Sequence, residues 1–183
     1  MKIPIIVLAA LLAGCTSLTS TDPASPHYTY TTGWALELTR PLTIGPGEAT
    51  ARLQYGRVVP RNGVQRHDPH CVVELDTVSD GTQTLQPGRF DVLRVIRSTN
   101  DFFVRGEHFY RMVRFVEDDG PLSLFFITEF RLRDPAQPAL RSMTCAWDQL
   151  APGNFPMMRH LSLDEIRSAL GDWMRIIAPR EAL

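Results

Sequence analysis

The residues with the most direct chemical potential lie close together in the chain. His67-Asp68-Pro69-His70 places two imidazoles around a carboxylate on one polar stretch, and imidazole nitrogens with carboxylate oxygens are ligands for zinc and related metals. A closed metal site takes about four ligands. Here the next residue is Cys71 and Pro69 stiffens the backbone between the pair, so a solvated loop is the simpler reading. Glu74 and Asp76 follow. On an extended strand they face the same way with Cα atoms about 6 to 7 Å apart, the lower end of the spacing used by inverting glycosidases. Two carboxylates on a wetted strand face would look the same. His108 beside Glu107 offers a base and an orienting acid, but strand neighbours point to opposite faces. No Gly-x-Ser-x-Gly elbow, Ser-x-x-Lys, His-Glu-x-x-His or phosphate-cradling glycine loop occurs. The expectation is a protein that is not an enzyme, with no catalytic residue, no metal and no cofactor.

The three cysteines divide by position. Cys15 closes an N-terminal apolar run, which leaves Cys71 and Cys145 as an even pair. In an exported chain such a pair forms a disulfide as a rule. The rival reading, a metal or nucleophilic thiol, lacks a Cys-x-x-Cys pair and a base at a known position.

Lys2 followed by about ten mostly apolar residues, Ile3 to Leu12, has the form of a signal-peptide core. It is too short to span a bilayer, which takes roughly 20 apolar residues. Leu12-Ala13-Gly14-Cys15 resembles the lipobox of bacterial lipoproteins. That resemblance implies diacylglycerol on the Cys15 thiol, cleavage after Gly14 and acylation of the new amine; Thr16 in place of Asp favours the outer membrane. Residues 1–14 are then the signal peptide. Residues 15–32, polar and proline-bearing, are expected to form a flexible lipidated tether, and 33–183 a single domain. Hydrophobic residues at 44% suffice for a core, while the formal net charge of -1 argues against a nucleic-acid partner. Lys2 is the only lysine, so every other basic side chain of fixed charge is arginine.

The elements that must position these residues read as strands. Trp34, Leu36 and Leu38 alternate with polar or small neighbours, as do Ala51, Leu53 and Tyr55, and then Cys71, Val73 and Leu75. Pro41 to Gly47 reads as a turn and Gly56 as a bulge. Further strands are expected at 90–97, 102–104 with 108–116, 122–133 and 139–147, with Glu117-Asp-Asp-Gly-Pro as a hairpin loop. Leu122, Leu124, Phe126, Phe130 and Leu132 share one face of their strand while Phe125 and Ile127 occupy the other, so both faces need cover. Ser162 and Glu165 have capping-box spacing, and Leu163, Ile166, Ala169, Leu170, Trp173 and Met174 follow at helical period. That helix is the expected cover for Phe125 and Ile127. The pattern predicts a mainly β fold, an antiparallel β-sandwich or small barrel of about seven strands with one C-terminal α-helix packed on it.

The segments Trp34-Ala-Leu-Glu-Leu, Arg40-Pro-Leu-Thr-Ile-Gly-Pro-Gly, Gln54-Tyr-Gly-Arg, Pro69-His-Cys-Val-Val-Glu-Leu and Thr128-Glu-Phe-Arg-Leu resemble an uncharacterised family of predicted lipoproteins from Gram-negative bacteria. The resemblance spans most of the domain, implies a compartment and no chemistry, and agrees with pairing Cys71 to Cys145. The function expected is therefore that of a membrane-anchored envelope lipoprotein, a non-enzymatic binding or assembly module held by lipid on Cys15 and meeting another envelope protein or a lipid. The alternatives are a carrier of an apolar ligand, which requires a cavity of roughly 300 Å³ or more lined by the Phe-rich strands, and an envelope hydrolase, which requires His67, His70, Glu74 or Asp76 to converge in one cleft.

Overall fold

The computed structural model describes residues 19–103, 122–150, 154 and 157–179; side chains are described for these except at 101–103 and 122–123. Ten strands and one α-helix of more than one turn occur among them: β1 (Ala35–Leu38), β2 (Leu42–Ile44), β3 (Thr50–Gln54), β4 (Arg57–Val59), β5 (His70–Leu75), β6 (Gln83–Leu85), β7 (Gly88–Phe103), β8 (Leu122–Arg133), β9 (Leu140–Ala146), α1 (Leu163–Leu170) and β10 (Met174–Ile177). Eight strands build one curled antiparallel sheet, a half-barrel, in the order β10-β1-β7-β8-β9-β5-β3-β4, and β2 pairs with β6 in a separate ribbon. The mainly β class with a helix near the C-terminus is therefore what the molecule adopts.

Strand register explains which residues are buried. Leu36 lies opposite Phe90, Phe130 opposite Met143, Val73 opposite Met143 and Ala51 opposite Val73. Directly opposed residues share a face of the sheet, so these side chains form one continuous inner face. It is closed by α1, which packs on β3, β5 and β10 through buried Leu163, Ile166, Ala169 and Leu170. At about 2 kcal/mol for each large apolar side chain removed from water, that stripe is the main reason an eight-residue helix persists.

The Ser162 capping box is complete. The Glu165 amide donates to Ser162 Oγ at 3.2 Å, and the Ser162 amide donates to Glu165 Oε2 at 2.8 Å. Arg159 grips the same carboxylate with two bonds of 2.7 Å. Burial would raise the Glu165 pKa, but the bonds from Arg159 and Ser162 outweigh it and hold it below the usual value.

Several expectations need correction. The helix stops at Leu170, because Gly171 takes a positive φ of 54° with ψ of -134°, a conformation that ends α-helical propagation and suits glycine. Trp173 therefore leaves the helix stripe and lies under the Arg40 guanidinium at 4.5 Å, and Met174 opens β10 on the edge beyond β1. Pro41 to Gly47 holds β2 inside what reads as a turn. Tyr55 and Gly56 both have positive φ, 54° and 71°, as a two-residue type I′ hairpin requires, so Gly56 turns the chain into β4 and does not mark a bulge.

Strand β7 runs without a break through Ser98–Asp101, because β8 pairs with it from Asp91 to Phe103. Its one irregularity is a register shift at exposed Leu93. The partner of β8 is thus the long strand from Gly88. Residues 104–121, including the expected strand 108–116 and its hairpin loop, lie outside the described residues.

The described part of the expected tether, residues 19–32, packs on the domain. Ser20 and Tyr28 form a bridge, and the Thr29 amide donates to the Ser20 carbonyl at 2.9 Å. The Asp164 amide donates to the Pro23 carbonyl at 3.2 Å. Tyr28, Tyr30 and Trp34 meet edge to face at 5.3 to 5.8 Å between centroids, and Tyr30 meets Phe130 at 5.2 Å. Buried aromatic contacts of this kind offset the ordering entropy that composition alone could not weigh.

Candidate functional site

The loop that carries His67 folds over the outer face of the half-barrel and is held there mostly by its backbone. Gln54, fully buried, donates from Nε2 to the Gln65 carbonyl at 2.8 Å and accepts the Gln65 amide at 2.9 Å. The Asp148 amide donates to the Arg66 carbonyl at 2.8 Å, Asn154 donates to the His67 carbonyl at 2.6 Å, and the Tyr55 hydroxyl donates to the Asp68 carboxylate. This loop, and not α1, supplies cover at Phe125, whose ring stands edge-on to His70 at 6.5 Å.

His67 is exposed while His70 is buried, so the two imidazoles do not share a centre. His70 Nδ1 lies 3.2 Å from the Asp68 carbonyl. A carbonyl only accepts, which assigns the proton to Nδ1. Burial lowers the His70 pKa, more than that bond raises it. Among the described residues no group of His, Cys, Asp or Glu is arranged to hold a metal ion.

The carboxylates have separate tasks. Glu74 accepts from Ser142 Oγ at 3.2 Å and faces Arg141 at 3.5 Å, both on β9. A register shift between Glu74 and Leu75 ends the regular ladder, so Asp76 does not follow Glu74 on one face by simple alternation. Asp76 borders a surface groove of about 350 Å³ with Leu132, Arg133, Asp134, Pro135, Pro138, Leu140 and Arg141. That lining contains none of the phenylalanines expected of an apolar-ligand cavity. Along β5, His70 and Glu74 are about 13 Å apart at strand rise, so the four groups of the hydrolase reading do not converge. Glu107, His108 and Cys15 lie outside the described residues.

Cys71 and Cys145 are joined by a disulfide. They stand directly opposite each other on neighbouring β5 and β9, both fully buried. The bond therefore ties two adjacent strands of the sheet and holds no thiol available for chemistry.

A different set of residues carries unused hydrogen-bonding capacity. Six buried side-chain polar atoms among the described residues lack a partner: Tyr30 Oη, Trp34 Nε1, Arg97 Nε, Thr128 Oγ1, Gln149 Nε2 and His160 Nδ1. Such atoms are rare in folded proteins and each needs a reason. Four of them, on Tyr30, Arg97, Thr128 and His160, belong to residues that neighbour one another along the inner face. Thr128, completely buried on β8, lies opposite Arg97 on β7. Its same-face neighbours are Phe126, whose ring meets His160 at 5.3 Å, and Phe130, which meets Tyr30. The Arg97 guanidinium lies 5.5 Å from the Tyr30 ring and donates to the Tyr28 carbonyl at 3.0 Å.

The electrostatics of this cluster are cationic. Burial, then Arg97, pushes the His160 pKa down to about 4. Burial raises the Tyr30 pKa to about 12, with Arg97 pulling it the other way. At neutral pH the tyrosine keeps its proton, the imidazole is uncharged and the arginine is ionised. The Thr128 and Tyr30 hydroxyls and the Arg97 guanidinium therefore offer O–H and N–H donors around one positive charge, suited to holding a polar or anionic group, while the neutral His160 ring forms a wall beside them.

Sequence reasoning missed this cluster, although one signal was present: Thr128 interrupts an otherwise apolar face between Phe126 and Phe130. Arg97, Tyr30 and His160 gave no comparable sign. Compared with protein-family models, curated proteins and solved structures, the chain gives no match.

Proposed function

We propose that this protein is an envelope lipoprotein, anchored through lipid on Cys15 and serving as a non-enzymatic binding or assembly module at the outer membrane, on its periplasmic side. The observation that carries the reading is the placement of Leu12-Ala13-Gly14-Cys15 at the end of a short apolar run, five positions before Ser20, whose backbone is bonded to His27 and Thr29. The resemblance to predicted Gram-negative lipoproteins supports the same compartment. A buried disulfide suits an oxidising one.

The groups that suggested hydrolysis are otherwise engaged, His70 against Phe125 and Glu74 with Ser142 and Arg141, which favours binding over catalysis. The partner in this reading is the membrane, together with another envelope protein or a lipid.

Fatty-acid labelling of cells that produce the full chain tests the anchor. Label should enter the wild-type protein and be lost in Cys15→Ser, with the variant released from the membrane fraction. Label that persists in Cys15→Ser, or none in the wild type, would refute it. Crosslinking in intact cells tests the module: one recurrent envelope protein joined through the β-domain supports it.

A further inference from the structure

We propose that the inner-face site around Thr128, walled by Arg97, Tyr30 and His160, binds a phosphate-type oxyanion. The argument starts from Arg97. Its described hydrogen bond goes to a backbone carbonyl, that of Tyr28, and its stacking partner is the Tyr30 ring. Neither neutralises a charge. A partly buried guanidinium without a carboxylate is costly unless something anionic joins it, and arginine forks match phosphate oxygens.

The surroundings repeat that preference. The ionised side chains that act on Tyr30 and His160 are Arg97 and Arg167, with no carboxylate among the described residues. Thr128 supplies the second, independent observation: a polar side chain with no exposure at all whose hydroxyl finds no partner. Arg97 Nε, on the strand opposite, is likewise buried without a partner, and the Tyr30 hydroxyl, in reach of the same guanidinium, adds a further donor. An oxyanion with three or four acceptor oxygens can satisfy several such donors at once, whereas a neutral ligand would leave the Arg97 charge uncompensated.

Two sources share this chemistry, a free phosphate and the phosphodiester of a lipid headgroup. The chain favours the second. Tyr28 and Tyr30 belong to the segment that leads back to Cys15, and the five residue steps from Cys15 to Ser20, which bridges to Tyr28, span at most about 18 Å. A lipidated Cys15 would hold this side of the half-barrel close to headgroup phosphates. That choice of source rests on the lipoprotein reading; the oxyanion chemistry does not.

The test uses the full-length protein in an uncharged maltoside detergent and phosphate-free buffer. It is titrated calorimetrically with inorganic phosphate, with dihexanoylphosphatidylglycerol, and with dihexanoylglycerol as the phosphate-free control. Saturable binding of either phosphate compound is expected, weakened about ten-fold in Thr128→Val and in Arg97→Gln. Thr128→Val should melt no lower than wild type, since it removes an unpartnered buried hydroxyl while keeping the side-chain shape, so its loss of binding cannot be ascribed to unfolding.

Tighter binding of the phospholipid identifies a headgroup site, and equal binding a free-oxyanion site. No saturable binding of either phosphate compound, binding unchanged in Thr128→Val, or equal binding of dihexanoylglycerol would overturn the proposal. Absent fatty-acid label on Cys15 with phosphate binding intact would retire the anchor and leave this site standing.

Discussion

A Cβ placed on Gly171 would lie 2.4 Å from the Gly56 Cα, so the end of α1 and the turn between β3 and β4 touch backbone to backbone. The Gly56 amide completes the contact by donating to the Ala169 carbonyl at 3.1 Å. The helix that covers the inner face is thus docked by the absence of two side chains.

Gly171→Ala combines that clash with a backbone conformation that L-residues rarely adopt, and the clash is with main chain that cannot swing aside. A loss of about 3 kcal/mol is expected, read as a lower urea midpoint with unchanged slope. Gly45→Ala, whose Cβ would meet nothing within 4 Å, is the control and should change the midpoint little.

The Cys71–Cys145 bond closes a loop with a sequence separation of 74. In the chain-entropy account it contributes about 4 kcal/mol. Cys71→Ala with Cys145→Ala should therefore lower the unfolding free energy by that order, and reductant should shift the wild type toward the double variant. An identical midpoint with and without the bond would show that the sheet holds β5 against β9 unaided.

Acid should weaken the fold in two stages. Burial and Arg97 set the His160 pKa at about 4, below its ordinary 6.5, so between pH 6.5 and 4 the unfolded chain binds a proton that the folded chain refuses, and stability falls as pH drops through that window. Buried His70, also lowered, adds in the same sense. Allowing for solvent screening at a partly buried ring, His160 accounts for about 1 kcal/mol. Below the usual glutamate range, protonation of Glu165, whose folded pKa is depressed, removes its bonds with Arg159 and adds a second loss. Urea midpoints at pH 7, 5.5 and 4 should decline, and His160→Phe should flatten the first stage.

Ser162→Ala removes the side-chain half of the capping box and should cost about 1 kcal/mol. The loss should appear as faster amide exchange in α1, measured residue by residue. Exchange confined to its wild-type rate would mean that the buried stripe alone holds the helix.

Strands with one apolar face were legible in the sequence because alternation at period two is a local signal: Trp34 to Leu38, Ala51 to Leu53 and Cys71 to Leu75 all form as read, give or take a residue. The capping box at Ser162 was legible for the same reason. Three-residue strands such as β2, β4 and β6 carry too little pattern to read, and β10 was absorbed into the helix because Trp173 and Met174 happen to continue its period. Only the positive φ of Gly171 separates them. The His67 to His70 stretch attracted attention by its residue types, yet its role is to cover Phe125. Its chemistry was spent on burial, which depends on what the sheet places beneath it.

By itself the sequence determined the β class, the cysteine pair and the short apolar run that ends at Cys15, since composition, parity and local periodicity need no knowledge of distant contacts. The tertiary structure decided everything that joins remote segments. It laid residues 20–34 across the inner face, set Arg97 opposite Thr128, and brought Tyr30 and His160 to either side of them from positions 130 residues apart. No local pattern encodes that meeting. It follows from strand register, which is fixed by the packing of the whole inner face at once.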